Sequence, residues 1–418
     1  MSARARSPSR TRTHTRRTPV EWAMRGVLAV VLLALAWASI ARTLGFMLRT
    51  ANVERAHRLA PHDGRVTALL AQKLVRPDAD GASRLRADQL ARRALLQEPM
   101  AVVAAATLGL NAQLRGDVAG SRRLFNYAGR LSRRDLQTQV WAIEDAVARA
   151  DIPAALQHYD IALRTSREAP DLLFPVLSSA IAEPSVRAVL VATMAQAPVW
   201  PGAFIDYVSG NGPDPLVTVQ FFLKLRRAGV EIPPGAGATI VSTLIGKGRI
   251  AAAWRYYASM HRHADPRRSR DPDFAEQPIT PSPFDWVTIS DASVNTSIQR
   301  GTNGGVLDFS APTSVGGPVV QQMQILPPGR YRLEGRSTGI SQAPAALPYW
   351  VLTCGDGREA GRVTVQNSGA DPKGDLFGGE VVVPSDCTTQ TLRLILRASD
   401  KVDGVNGQIE TVRLAPSA

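Results

Sequence analysis

The sequence is poor in the residues from which most catalytic sites are built. Its six histidines all precede residue 264, and its two cysteines, Cys354 and Cys387, both lie in the last third. The C-terminal part therefore has no histidine for a triad or a zinc site of its own. There is no Gly-x-Ser-x-Gly elbow and no His-Glu-x-x-His run. Gly246-Lys247-Gly248 lacks the upstream glycine and the following hydroxyl of a phosphate loop. His261-x-His263 has no third ligand at metal-binding spacing. The carboxylates Asp308, Glu334, Glu359 and Glu380 show no spacing that selects an acid–base pair. Aromatics make up 6% of the chain, and the arginines are scattered among Ala and Leu. A nucleic-acid binder needs a basic groove interleaved with aromatics. We therefore expect no enzyme activity, no cofactor and no nucleic acid.

One apolar run stands out against this background. Gly26 to Ala41 carries no charge and lies between Arg25 and Arg42. As a helix it reaches roughly 24 Å. The apolar character resumes at Leu44, Phe46, Met47 and Leu48, so residues 26–48 suffice for a transmembrane anchor. Seven arginines precede the run against the single Glu21. By the positive-inside rule, residues 1–25 form a basic cytoplasmic tail near anionic inner-membrane lipids, and the bulk is periplasmic. Ala36-Trp37-Ala38 also fits a signal-peptidase site, which leaves open the removal of residues 1–38. The long leader and the apolar residues beyond that site favour the anchor. The net charge of +13 divides unevenly, with +6 in the tail, +9 over 26–277 and −2 over 278–418.

From 52 to 263 the chain is rich in Ala, Leu and Arg and repeats itself. Leu108-Gly109, Ala112, Gly116-Asp117, Ser121, Phe125 and Ala128 form one unit. A step of 34 residues forward meets Ala155, Tyr159 and Ala162, and a step back meets Ala87, Ala91, Ala94 and the closing Pro99. Gly248, Ala253 and Tyr257 form a later copy. These residues resemble the tetratricopeptide repeat family over about 55–260. The resemblance implies antiparallel helix pairs in which small residues allow close approach and aromatics fill the gap to the next unit. It also implies a surface for envelope protein partners. The unit around Ala146 lacks the Leu-Gly pair, and Pro175, Pro184, Pro198 and Pro201 interrupt the units that follow. A generic all-α solenoid is the alternative.

Residues 264–283 mix proline with charge and read as an interdomain linker, or as a crossing strand if Phe274 and Ile279 pack down. From 284 to 418 the period becomes two. Tyr331 and Leu333 alternate with arginine and glutamate, as do Leu392, Leu394 and Leu396 with polar neighbours and Val412 and Leu414 around Arg413. Seven to nine strands separated by turn clusters predict an antiparallel β-sandwich. Phe284-x-Trp286, read as a core pair sharing one face, is followed about forty residues later by the run Gln324 to Leu333 with its Pro-Gly-x-Tyr turn. This order resembles jelly-roll carbohydrate-binding modules, which implies a sandwich that holds glycan.

Sugar stacking needs a ring that reaches solvent. Tyr349 and Trp350 are adjacent, so they point to opposite sides of a strand. Either ring of the pair is a candidate; Trp350 shares its side with Leu352 and Cys354, which favours Tyr349 as the exposed ring, and Phe377 in the Gly-rich loop Gly374–Gly379 is a further candidate. Cys354 and Cys387 are expected to form a disulfide in an exported protein, with two buried thiols as the alternative. Asp371, Asp375, Asp400 and Asp403 are weak candidates for a structural calcium site. Together these features predict a membrane-anchored envelope adaptor in polysaccharide assembly or export. A pure protein-interaction scaffold is the alternative, and a glycan-acting enzyme's accessory module a third reading.

Overall fold

The computed structural model describes residues 18–76, 78–276, 278–290, 293–301, 304–369 and 374–417. The chain divides into two compact units, one through Ser166 and the other from Arg167 on. The division falls inside the helical region rather than at its end. The first unit opens with α1 (Pro19–Leu48), 30 residues long with a mean hydropathy of 2.1 over its most apolar window. That is long and apolar enough for a membrane span or a signal sequence. Thr18 and Glu21 close a capping box at its start, seven residues ahead of the charge-free run. Its last turns pack on α2 (Val53–Leu59), where Gly45 lies against Ala60.

Among the described residues, six further helices follow in this unit: α3 (Gly64–Leu74), α4 (Gly81–Gln97), α5 (Val102–Leu114), α6 (Val118–Leu131), α7 (Leu136–Ala148) and α8 (Ile152–Thr165). Every boundary of the α5–α6 pair recurs 34 residues later in α7–α8: Val102 at Leu136, Leu114 at Ala148, Val118 at Ile152 and Leu131 at Thr165. Asp117 and Asp151 cap the second helix of each pair through backbone N–H groups. The Phe125 ring lies over Gly109, where an added Cβ would come within 2.8 Å of it, and it stacks on Trp141 with centroids 4.6 Å apart. Leu108, Ala128, Tyr159 and Ala162 are also buried.

The second unit begins with α9 (Ala169–Ala180), α10 (Pro184–Met194), α11 (Pro201–Asn211), α12 (Pro215–Arg227), α13 (Pro234–Gly246) and α14 (Ile250–Met260). Pro184 and Pro201, expected as interruptions, instead start helices, where the missing N–H costs nothing. Pro175 lies within α9 and Pro198 between helices.

Ten strands follow among the described residues: β1 (Val287–Thr288), β2 (Asn295–Gly301), β3 (Gly304–Ala311), β4 (Gly317–Gln324), β5 (Gly329–Thr338), β6 (Tyr349–Cys354), β7 (Glu359–Thr364), β8 (Asp375–Val383), β9 (Gln390–Leu396) and β10 (Val405–Pro416). They form two antiparallel five-stranded sheets, ordered β1-β4-β9-β6-β7 and β2-β3-β10-β5-β8. The chain crosses repeatedly between the sheets in the jelly-roll manner. Alternate residues of both sheets, among them Leu307, Leu333, Trp350, Leu394 and Val412, meet in one core.

The expected linker is instead built into the sandwich. Ser269 N–H donates to Leu414 O at 2.9 Å, and Val412 N–H donates to Pro272 O at 2.8 Å. Phe274 is fully buried in the sandwich core, whereas Ile279 is exposed. Arg270 is enclosed as well: its Nε donates to Phe284 O at 2.7 Å, Nη1 to Gln324 Oε1 at 3.1 Å, and Nη2 to Met323 O. Burial lowers its pKa to about 10, so it stays charged at neutral pH.

Phe284 and Trp286 are both buried, but they precede β1 and do not share a face. Phe284 packs on Trp254 and Tyr257 of α14, while Trp286 meets Phe274 and Trp350 in the core. Tyr257 donates its hydroxyl to Asp285 at 2.7 Å, and burial raises its pKa. Helix α14 is thereby fastened to the sandwich.

Candidate functional site

The outer face of the β1-β4-β9-β6-β7 sheet follows from the strand period. On β6, Trp350, Leu352 and Cys354 turn inward, so Tyr349, Val351 and Thr353 turn outward. The register then assembles the face row by row. Tyr349 stands beside Thr364 of β7 and Ile395 of β9. Val351 stands between Arg362 and Arg393, and Arg393 pairs on to Gln321 of β4. Thr353 stands beside Thr391.

Tyr349 is half-buried, and two guanidinium groups lie over its ring. Arg362 Cζ is 4.2 Å from the ring centroid and Arg397 Cζ 4.7 Å. Arg362 also grips Glu359 with both arms of its fork, at 3.1 and 2.7 Å. Arg393 donates to Gln321 Oε1 at 3.1 Å and to Thr353 Oγ1 at 3.4 Å, and Arg397 to Ala345 O at 3.4 Å. The result is one ring edged by amide, hydroxyl and guanidinium groups, three of which are cations. Such a face can hold hydroxyls and an oxyanion. It offers no nucleophile paired with a base.

The other expected ring residues lie elsewhere. Trp350 is fully buried in the core, so it cannot stack on a ligand. Phe377 is on strand β8, not in a loop, and its ring lies inside, over the backbone of Gly335 on β5. Of the glycines in this segment, Gly379 leaves space for Val363 of β7, and Gly374 takes φ +60° just ahead of the strand. Cys354 and Cys387 are bonded, with Cα atoms 5.4 Å apart, and tie the end of β6 to the turn before β9. Of the calcium candidates, Asp371 lies outside the described residues, and Asp375 accepts the N–H of Gly369. No group of three metal-ligating side chains gathers among the described residues, so Asp375, Asp400 and Asp403 form no cluster.

His261 stacks on Tyr257 and lies 3.8 Å from Glu276. The scattered carboxylates are each engaged on the surface. Asp308 accepts from Gln408, Glu334 pairs with Arg332, and Glu380 lies near Arg330. A broad cleft of about 760 Å³ opens on the other sheet, lined by Asp273, Arg332, Glu334, Leu376 and Arg413 among others. Phe377 forms part of its wall but is itself buried.

The arginines of the Tyr349 face were not identified from sequence. Arg393 on β9 and Arg397 just after it alternate with leucines, which marks them as outward. That Arg362 joins them depends on the β6–β7 hairpin and the β6–β9 pairing.

No family model matches the chain, and no curated protein does. Solved structures do match. The xylan-binding domain of Paenibacillus barcinonensis is 14% identical, with 35% of this chain and 94% of that one covered and a TM-score of 0.25. A carbohydrate-binding module of Cellvibrio mixtus lichenase, solved with cellotriose, is 10% identical, with 32% and 98% covered and a TM-score of 0.22. The enzymatically active domain of bacteriophage CBA120 tailspike protein 4 is 12% identical, with 31% of this chain covered and a TM-score of 0.23. The match spans only 18% of that tailspike chain.

Proposed function

We propose that the protein is a non-enzymatic adaptor of the bacterial envelope, held at the inner membrane by α1. Its β-sandwich binds glycan, and its helices, read as tetratricopeptide-like pairs, dock protein partners in polysaccharide assembly or export. The observation that carries the glycan reading is Tyr349, a partly accessible ring on a sheet face whose neighbours Gln321, Thr353, Arg362 and Arg397 all bear hydrogen-bonding groups. A pyranose presents a C–H face to such a ring and hydroxyls to such an edge. The 34-residue recurrence of helix boundaries supports the repeat reading. Leu96 and Met100 stand exposed at the α4–α5 turn, and they favour partner docking on the helices.

Affinity electrophoresis of the detergent-solubilised full chain, through gels containing neutral or acidic polysaccharides, tests the glycan reading. Retardation that is lost on Tyr349→Ala is the expected result. Mobility unchanged across the panel leaves the pure protein-interaction scaffold in its place.

A further inference from the structure

We infer that the glycan held on this face is an acidic one, its oxyanion substituent taken by Arg362 and Arg397 while its ring lies beside Tyr349. This rests on the glycan reading above and names its ligand class. Arg362 and Arg397 both lie over the Tyr349 ring, and Arg393 stands on the same face two strand spacings, about 10 Å, from Arg362. They are concentrated there although residues 278–418 carry a net charge of −2. A neutral sugar reaching the Tyr349 ring displaces two cations and returns no charge to them. An oxyanion on the sugar meets those same cations as the ring settles.

Glu359 already shows the geometry. Its two oxygens occupy the Arg362 fork side by side, the bidentate arrangement that a carboxylate, sulfate or phosphate on a ligand adopts. Glu359 is therefore a competitor held in place by the chain. Removing its charge frees the fork without disturbing the core.

The test compares the full chain in gels containing polygalacturonate, its carboxyl-reduced neutral counterpart, dextran sulfate and plain dextran. Retardation about tenfold stronger on an acidic polymer than on its neutral form is expected, as is a loss of about fivefold with Arg362→Gln or Arg397→Gln. Glu359→Gln strengthens it, a gain that misfolding cannot produce. Preference for polygalacturonate or for dextran sulfate, lost in each case on Tyr349→Ala, supports the inference and identifies the oxyanion. Equal retardation on acidic and neutral forms overturns it while leaving glycan binding intact. Acidic retardation that survives Tyr349→Ala is attraction by charge alone and overturns it too. No retardation on any polymer overturns this inference and the glycan reading together.

Discussion

Asp271 shows how one side chain sets a pH dependence. Its carboxylate accepts the N–H groups of Ala275 and Glu276 at 2.8 and 3.1 Å, yet burial raises its pKa to about 6 from the ordinary 3.8. The folded state thus binds a proton more tightly than the unfolded chain does. Stability falls as pH rises from about 4 to about 6, and the full penalty is present above that. Two pKa units correspond to about 3 kcal/mol, which partial solvent contact reduces to about 1 kcal/mol. Asp271→Asn keeps an acceptor oxygen and suits the left-handed backbone, φ 49°, at this position. Thermal melts are expected to show the variant more stable at pH 8, with the gain vanishing near pH 4. A gain of equal size at both values would assign the effect to something other than the charge. At this scale the sequence told half the story. Alternation alone placed Trp350 inward and Tyr349 outward. It misplaced Phe377, because glycines mark both loops and strands, where Gly379 leaves space for Val363 of the facing sheet.

The helix pair is the element whose repetition is easiest to read, since the 34-residue step in Phe125, Tyr159, Ala128 and Ala162 matches the step in helix boundaries. The turn between the helices repeats too, with one difference. Gly116, before the cap Asp117, takes φ +81°, and its counterpart Ala150, before Asp151, takes φ 57°. Both turns close with the cap N–H donating back into the first helix, Asp117 to Ala112 O and Asp151 to Ala146 O, each at 2.9 Å. A left-handed alanine costs about 1–2 kcal/mol, and glycine's added freedom when unfolded offsets part of what its replacement recovers. Ala150→Gly is therefore expected to stabilise the chain by about 0.5–1 kcal/mol. A urea midpoint that stays put or falls would mean that the turn carries no strain at Ala150. The strands were legible in the same manner, by period two. The sheet order was not, because pairing β9 with β6 is decided by contacts some forty residues apart.

For the molecule as a whole, the boundary drawn at residues 264–283 is where local texture misleads. Proline and charge suggest a solvated tether, but Arg270 is satisfied by Phe284 O and, much later in the chain, by Gln322, Met323 and Gln324. No local pattern announces a buried arginine most of whose partners are about fifty residues away. This strap decides how the chain can be cut. A fragment of residues 280–418 keeps the disulfide and all ten strands but loses Phe274 from the core, worth about 3–5 kcal/mol for a buried aromatic. It also leaves the acceptors of Arg270 and the N–H of Val412 without their partners, at about 1–3 kcal/mol for each group left buried. Those losses match or exceed the whole stability of a typical domain, about 5–15 kcal/mol. A fragment of residues 167–418 retains the strap and also α14, whose Trp254 and Tyr257 cover Phe284. The longer fragment is expected to melt cooperatively with a structured near-ultraviolet dichroism spectrum. The shorter one is expected to show strand signal without fixed aromatic packing. If the shorter fragment matched the longer in both spectrum and melt, the strap would be a passenger, and the sandwich core would close without Phe274 and Arg270.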